Sequence, residues 1–139
     1  MMHLVIITPE KTVLDEEIDE ILVPTNKGQM GVLPHHINIV TQLVPGEVII
    51  KSKGKNKNIA VSGGFLEVNK GVLTLLADYA EHANEIDIEK AKEATKKAQD
   101  LLSHKREELS EHEIIRIEAE LRLSLLQQHI AQRHHRRTS

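Results

Sequence analysis

All seven glycines and all four prolines of this 139-residue chain lie before residue 72. Glycine and proline punctuate a chain, so their confinement to one part forces two different kinds of structure. The earlier part must turn often, and the later part must run on without tight turns. Charge divides in the same way. Residues 1–84 hold seven lysines and no arginine against ten acids, a net charge of −3; residues 85–139 hold five lysines and six arginines against eleven acids, a net of zero. The boundary falls near residues 82–87.

The first part reads as short strands between turn signals. Leu4-Val5-Ile6-Ile7 is stopped by Thr8-Pro9, and Ile18, Ile21, Leu22 and Val23 are stopped by Pro24 and Asn26-Lys27-Gly28. Further apolar runs cover residues 30–33, 37–43, 48–51, 59–61, 65–68 and 72–77. Turn signals every 8–12 residues, without helical periods between them, predict an antiparallel sandwich or barrel. Asn69-Lys70-Gly71 between two runs is a hairpin signal. The acidic pairs Asp15-Glu16 and Asp19-Glu20 read as solvated groups at strand edges.

From residue 86 the pattern is helical. Asp87 stands as an N-cap ahead of a run rich in alanine, lysine and glutamate. Ile88, Ala91, Ala94, Ala98, Leu101 and Leu102 recur at spacings of three and four, giving a narrow seam that another helix can approach closely. Ser110-Glu111-His112-Glu113 is a capping box that opens a second helix. Its apolar stripe is expected at Ile114, Ile117, Leu121 and Leu125, flanked by Ile115, Leu126 and Ile130. The short polar link between the two favours antiparallel neighbours. The expected fold is therefore a β-sandwich domain over residues 1–84 followed by an antiparallel two-helix hairpin over residues 85–139. A seam of alanines buries little apolar area against the cost of ordering the chain, which makes the hairpin a mobile element.

Several chemistries are excluded. Without cysteine there is no disulfide framework, thiolate zinc site or cysteine nucleophile, and the chain fits a reducing compartment. Phe65 and Tyr79 are the only aromatic residues, too few to stack bases, so no nucleic-acid partner is expected. Apolar runs reach only three to four residues, and neither a membrane span nor a secretory signal is expected. No phosphate-binding glycine loop or nucleophile elbow is present. The pairs His35-His36 and His134-His135 are adjacent rather than four apart, and read as turn or terminal histidines, not metal ligands. Arg133, His134, His135, Arg136 and Arg137 form a basic terminus, either solvated or turned to phosphate or an acidic surface. Nothing assembles a nucleophile, a base and an oxyanion donor, so the chain is not expected to be an enzyme.

The order of parts resembles a known family. Gly28-Gln29-Met30-Gly31-Val32-Leu33-Pro34-His35-His36, then Val61-Ser62-Gly63-Gly64-Phe65, then Ile86-Asp87 opening an alanine-rich helix pair, is similar to the epsilon subunit of bacterial and plastid F-type ATP synthases over about residues 2–130. The resemblance implies a non-catalytic central-stalk rotor subunit that couples cation flow to ATP synthesis. It implies a sandwich bound to the gamma subunit and resting on the membrane ring of c subunits. A loop of Gly28, Gln29, Met30 and Gly31, with His36, would face that ring. It also implies helices that fold down on the sandwich or extend along gamma to meet an acidic segment of a beta subunit and restrain ATP hydrolysis. Arg116 and Arg122 are the residues singled out for that contact, with pairing inside the helix, to Glu113 or Glu120, as the structural alternative. The implied location is peripheral, on the cytoplasmic face of a bacterial plasma membrane or the stromal face of a thylakoid.

Some members of the family bind ATP through Ile/Leu-Asp-x-x-Arg-Ala at the first helix. The matching residues here are Ile86, Asp87, Lys90 and Ala91, with Glu81 as the further acid upstream. Lys90 replaces the arginine and lacks its planar fork. Lys97 replaces a later arginine, and the second-helix arginines fall near Leu125 and His129. ATP binding is accordingly expected to be weak or absent. A free-standing interaction module of sandwich and hairpin is the alternative reading.

Overall fold

The structure, a computed structural model, describes residues 1–35 and 37–138, the last of them by its backbone. Two units are distinguished, Met1–Ala83 and the residues from Asn84 on.

Among the described residues the first unit holds ten strands: β1 (Met2–Ile7), β2 (Thr12–Ile18), β3 (Glu20–Thr25), β4 (Gly28–Val32), β5 (Ile39–Leu43), β6 (Gly46–Ser52), β7 (Lys55–Val61), β8 (Gly64–Asn69), β9 (Val72–Leu76) and β10 (Ala80–His82). They form two five-stranded sheets, ordered β2-β1-β9-β8-β5 and β10-β7-β6-β3-β4. Alternation drives the packing. In β1, Met2, Leu4 and Ile6 are buried while His3, Val5 and Ile7 are not. Leu4, Ile6, Ile18, Leu66, Leu73 and Leu75 from the first sheet share a core with Ile21, Val23, Val48, Ile50 and Ile59 from the second. The sandwich expected from the turn spacing is thus present. The β8–β9 hairpin forms at Asn69-Lys70-Gly71, where Lys70 (φ 52°) and Gly71 (φ 80°) take the left-handed conformation of a type I′ turn.

Three expectations are corrected. The sheets are not wholly antiparallel, because β1 pairs with β9 in parallel, Leu4 opposite Leu73 and Ile6 opposite Leu75. No turn links these strands, so their direction is set by matching buried leucines and isoleucines in register rather than by a local signal. Secondly, β2 is a strand in its own right, paired with β1 from Met2↔Ile18 to Ile7↔Thr12. Its run of acids hides it from an apolar reading. Thirdly, of the four acids Asp15 and Asp19 are exposed as expected, but Glu16 and Glu20 are only partly so, Glu16 paired with Lys57 at 2.7 Å and Glu20 with Lys51 at 3.4 Å. Asp15 meets His3 at 2.5 Å, and Asp19 accepts the Lys53 amide at 3.0 Å.

The second unit holds α1 (Ile88–His104) and α2 (Glu111–Thr138), joined through a short 3-10 turn at Arg106–Glu108. Asp87 is the N-cap of α1, its carboxylate accepting the Lys90 amide at 3.1 Å. The capping box of α2 closes in both directions, Ser110 N to Glu113 Oε1 at 3.2 Å and Glu113 N to Ser110 Oγ at 3.1 Å. These bonds hold the Glu113 carboxyl below its usual pKa. The helices pack against each other with Ala91, Thr95 and Ala98 buried on α1. On α2 the stripe runs Ile117, Leu121, Ser124, Gln128, and not through Leu125, which is 47% exposed. A spacing of alternating four and three keeps a straight seam, and Ser124 continues that spacing where Leu125 would leave it.

Candidate functional site

The stretch expected as a ring-facing loop is mostly an edge strand. Gly28, Gln29, Met30 and Gly31 belong to β4, the last strand of the second sheet, paired on one side only with β3. The β3–β4 turn is closed by Thr25, whose hydroxyl donates to Gly28 O at 2.6 Å and accepts the Lys27 amide at 3.3 Å. Gly28, Gln29 and Gly31 are exposed, and Met30 leans on the core. The chain leaves the far end of β4 at Leu33, next to Val32, which lies opposite Ile21. Leu33 and Ile37 there are exposed large apolar side chains. Turn and distal loop are therefore separated by the length of a strand, roughly 13–17 Å. His36 lies outside the described residues.

An apolar row crosses the outer face of the first sheet, which elsewhere carries His3, Asp15, Glu17 and Glu67. Ile7, Leu76, Phe65 and Gln42 are opposed in sequence across β1, β9, β8 and β5. Phe65 is 51% exposed and Leu76 50%, with Val40 and Val72 exposed on the same face. The row itself lines a groove of about 510 Å³, together with Thr8, Pro9, Ser62, Gly63 and Asp78 among others. Gly64 is indispensable at its rim. At φ 143° a Cβ there would stand 2.0 Å from the Leu76 carbonyl oxygen. The signal available in the sequence was the alternation Phe65-Leu66-Glu67, which puts phenylalanine and glutamate on one face and so marks that face as outward.

Of the helix arginines, Arg116 pairs with Glu120 one turn on, at 3.8 Å, rather than with Glu113, which is engaged by its cap. Arg122 is exposed and has no ion pair among the described residues. Arg106, not singled out by sequence, reaches Glu118 at 3.9 Å across the helix turn.

The residues matched to a nucleotide motif are occupied structurally. Asp87 caps α1, Ala91 is buried in the seam, Ile86 is buried and Lys90 is exposed. Glu81, on β10, accepts a short hydrogen bond from the Tyr79 hydroxyl. No group of three metal-ligating side chains gathers among the described residues, and no helix is long and apolar enough to cross a membrane.

The chain is thus a two-sheet sandwich followed by a helix pair, with an open edge strand at β4 and an apolar row on the outer face of the first sheet. Residues 1–83 match the family model of the ATP synthase delta/epsilon chain, beta-sandwich domain. The chain is 41% identical over 133 residues to the ATP synthase epsilon chain of Chloroflexus aggregans, covering 96% of this chain and 94% of that one. It is 44% identical over 107 residues to the ATP synthase epsilon chain of Desulforamulus reducens, covering 77% and 81%. Among solved structures, a chain of the Euglena gracilis mitochondrial ATP synthase, in an assembly with OSCP, F1 and c-ring, matches with a TM-score of 0.68 at 30% identity, over 90% of this chain and 76% of that one. The chain belongs to the ATP synthase epsilon-chain family, and is thus a stalk subunit of the rotor rather than a free-standing module.

Proposed function

We propose that this subunit is non-catalytic and joins the rotor through two surfaces of its sandwich, while its helix pair restrains ATP hydrolysis. The observation that carries the reading is the apolar row Ile7, Leu76, Phe65 on the outer face of the first sheet. Half-exposed leucine and phenylalanine side by side, lining a groove, are a surface that gains by being covered. The gamma subunit is its occupant. The free edge of β4 and the exposed Leu33 and Ile37 beyond it meet the polar loops of the c-ring, where Gly28, Gln29 and Gly31 allow close approach of backbone to backbone.

Arg122, and Arg116 with it, faces the acidic segment of a beta subunit when the helices extend. Nucleotide has no evident role, because the Asp87 carboxylate already serves the helix and Lys90 has no fork for phosphate. The subunit sits peripherally, held to the membrane through the ring, on the cytoplasmic or stromal face.

The deciding experiment replaces Phe65 and Leu76 with aspartate and assays copurification with gamma. Loss of gamma with the sandwich still folded is expected; full retention would place the gamma contact elsewhere. Truncation after Asp87 should raise hydrolysis by the reconstituted complex, and unchanged hydrolysis would remove the helices from its control.

A further inference from the structure

The middle of the α1–α2 seam is polar where an apolar pair would ordinarily sit. Gln128 Nε2 donates to Thr95 Oγ1 at 2.6 Å, Thr95 Oγ1 donates to Ser124 Oγ at 2.7 Å, and Ser124 Oγ donates to the Leu121 carbonyl at 2.9 Å. The Ala91 carbonyl, 3.0 Å from Thr95 Oγ1, is a second acceptor for the same hydroxyl. Thr95 and Ser124 are buried, 8% and 1% exposed. On either side along α1 stand only Ala91 and Ala98, so no large apolar side chain of α1 grips α2 at this level.

Two consequences follow from this chemistry. A shift of α2 by one heptad would bring Ile117 or Ala131 opposite Thr95, and neither can hydrogen-bond. A buried polar residue at a seam position therefore selects one register, at a cost in stability. Conversely, hydroxyl and amide groups are served equally well by water. Parting the helices here strands no polar group and exposes little apolar surface.

We propose that the Thr95–Ser124–Gln128 chain is a register lock that water can open. It admits a single alignment of the hairpin and keeps the closed and parted pairs close in free energy, so α2 can leave α1 and return to the same place. The restraint of hydrolysis proposed above is the use of such a seam, but the lock is a property of the subunit alone.

Amide hydrogen exchange on the full chain tests it, with the sandwich amides as an internal reference. The apolar variant Thr95→Val/Ser124→Ala/Gln128→Leu should slow exchange in α1 and α2 about tenfold or more, because the seam no longer has a hydrated alternative. The inter-helix contacts of this variant, read by NMR, should split into more than one register. Thr95→Ser, which keeps the hydroxyl, should leave exchange and register as they are, and covers the case in which the triple variant does not fold. Exchange in the triple variant that is unchanged or faster, or an altered register in Thr95→Ser, would overturn the proposal. If exchange slows as expected yet hydrolysis by the complex is insensitive to the helices, the lock stands and the regulatory role fails.

Discussion

Lys57 Nζ lies 2.7 Å from Glu16 Oε2, and this bond ties one sheet of the sandwich to the other. Lys57 sits opposite Ile50 in the β6–β7 ladder and Glu16 opposite Leu4 in the β1–β2 ladder, so both side chains turn toward the core side of their sheets. The second carboxylate oxygen, Glu16 Oε1, is buried and has no hydrogen-bond partner among the described residues. Around the pair, Ser52 Oγ donates to Glu17 O at 3.1 Å and the Lys53 amide to Asp19 at 3.0 Å, stitching the β6–β7 hairpin to the β2–β3 corner.

Removing Lys57 alone therefore leaves a carboxylate facing the core. Lys57→Met should destabilise the sandwich by about 0.5–1 kcal/mol, a modest figure because both partners keep contact with solvent. Lys57→Met/Glu16→Leu should regain most of that loss. A double-mutant cycle in urea checks it, and additive losses would show that the two do not interact.

His3 stands on the outer face of β1 between two carboxylates of β2, Nδ1 2.7 Å from Glu17 and Nε2 2.5 Å from Asp15. Its bonds to Glu17 and then to Asp15 raise its pKa above the ordinary 6.5. The neighbour on its other side is Val72 of β9, and Glu67 of β8 is the next acid on that face. The folded chain thus holds the His3 proton more tightly than the unfolded chain does. The stabilisation is complete below about pH 6.5 and fades as pH rises through the higher folded value. Comparing denaturant midpoints of wild type and His3→Gln across that window should show the difference shrinking as pH increases. A difference that grows with pH would reverse this account.

Gly64 cannot accept a side chain, since its φ is 143° and a Cβ would collide with the Leu76 carbonyl of the neighbouring strand. Gly64→Ala should cost at least about 2 kcal/mol by forcing β8 and β9 apart. The same change at Gly71, where nothing lies within 4 Å, should cost less and act only through its φ of 80°. Thermal unfolding of the two variants measures the order.

Arg116 and Arg122 differ in what they have to give up. Arg116 already meets Glu120, whereas Arg122 has no ion pair among the described residues. Arg122→Ala should relieve the restraint on hydrolysis more than Arg116→Ala does, and the effect of each should diminish as salt is raised. Equal effects, insensitive to salt, would point away from an acidic partner.

What could be read without the structure was local. The capping box at Ser110 and Glu113, the Asp87 cap and the hairpin turn at Lys70 and Gly71 each depend on residues within three positions of one another, so composition and spacing suffice to find them. The passage from a strand-rich to a helical part was equally legible, because glycine and proline stop where the helical period begins. The sequence alone determined these elements and the family to which their order belongs. Tertiary structure decided the rest. Lys57 and Glu16 are 41 positions apart, and Thr95 and Ser124 are 29 apart. Parallel pairing of β1 with β9 joins strands from opposite ends of the sandwich sequence. Glu16 and the polar residues of the helix seam have their partners in distant segments, which no local pattern discloses. A buried polar group needs such a partner, and only the folded chain brings it within hydrogen-bonding distance.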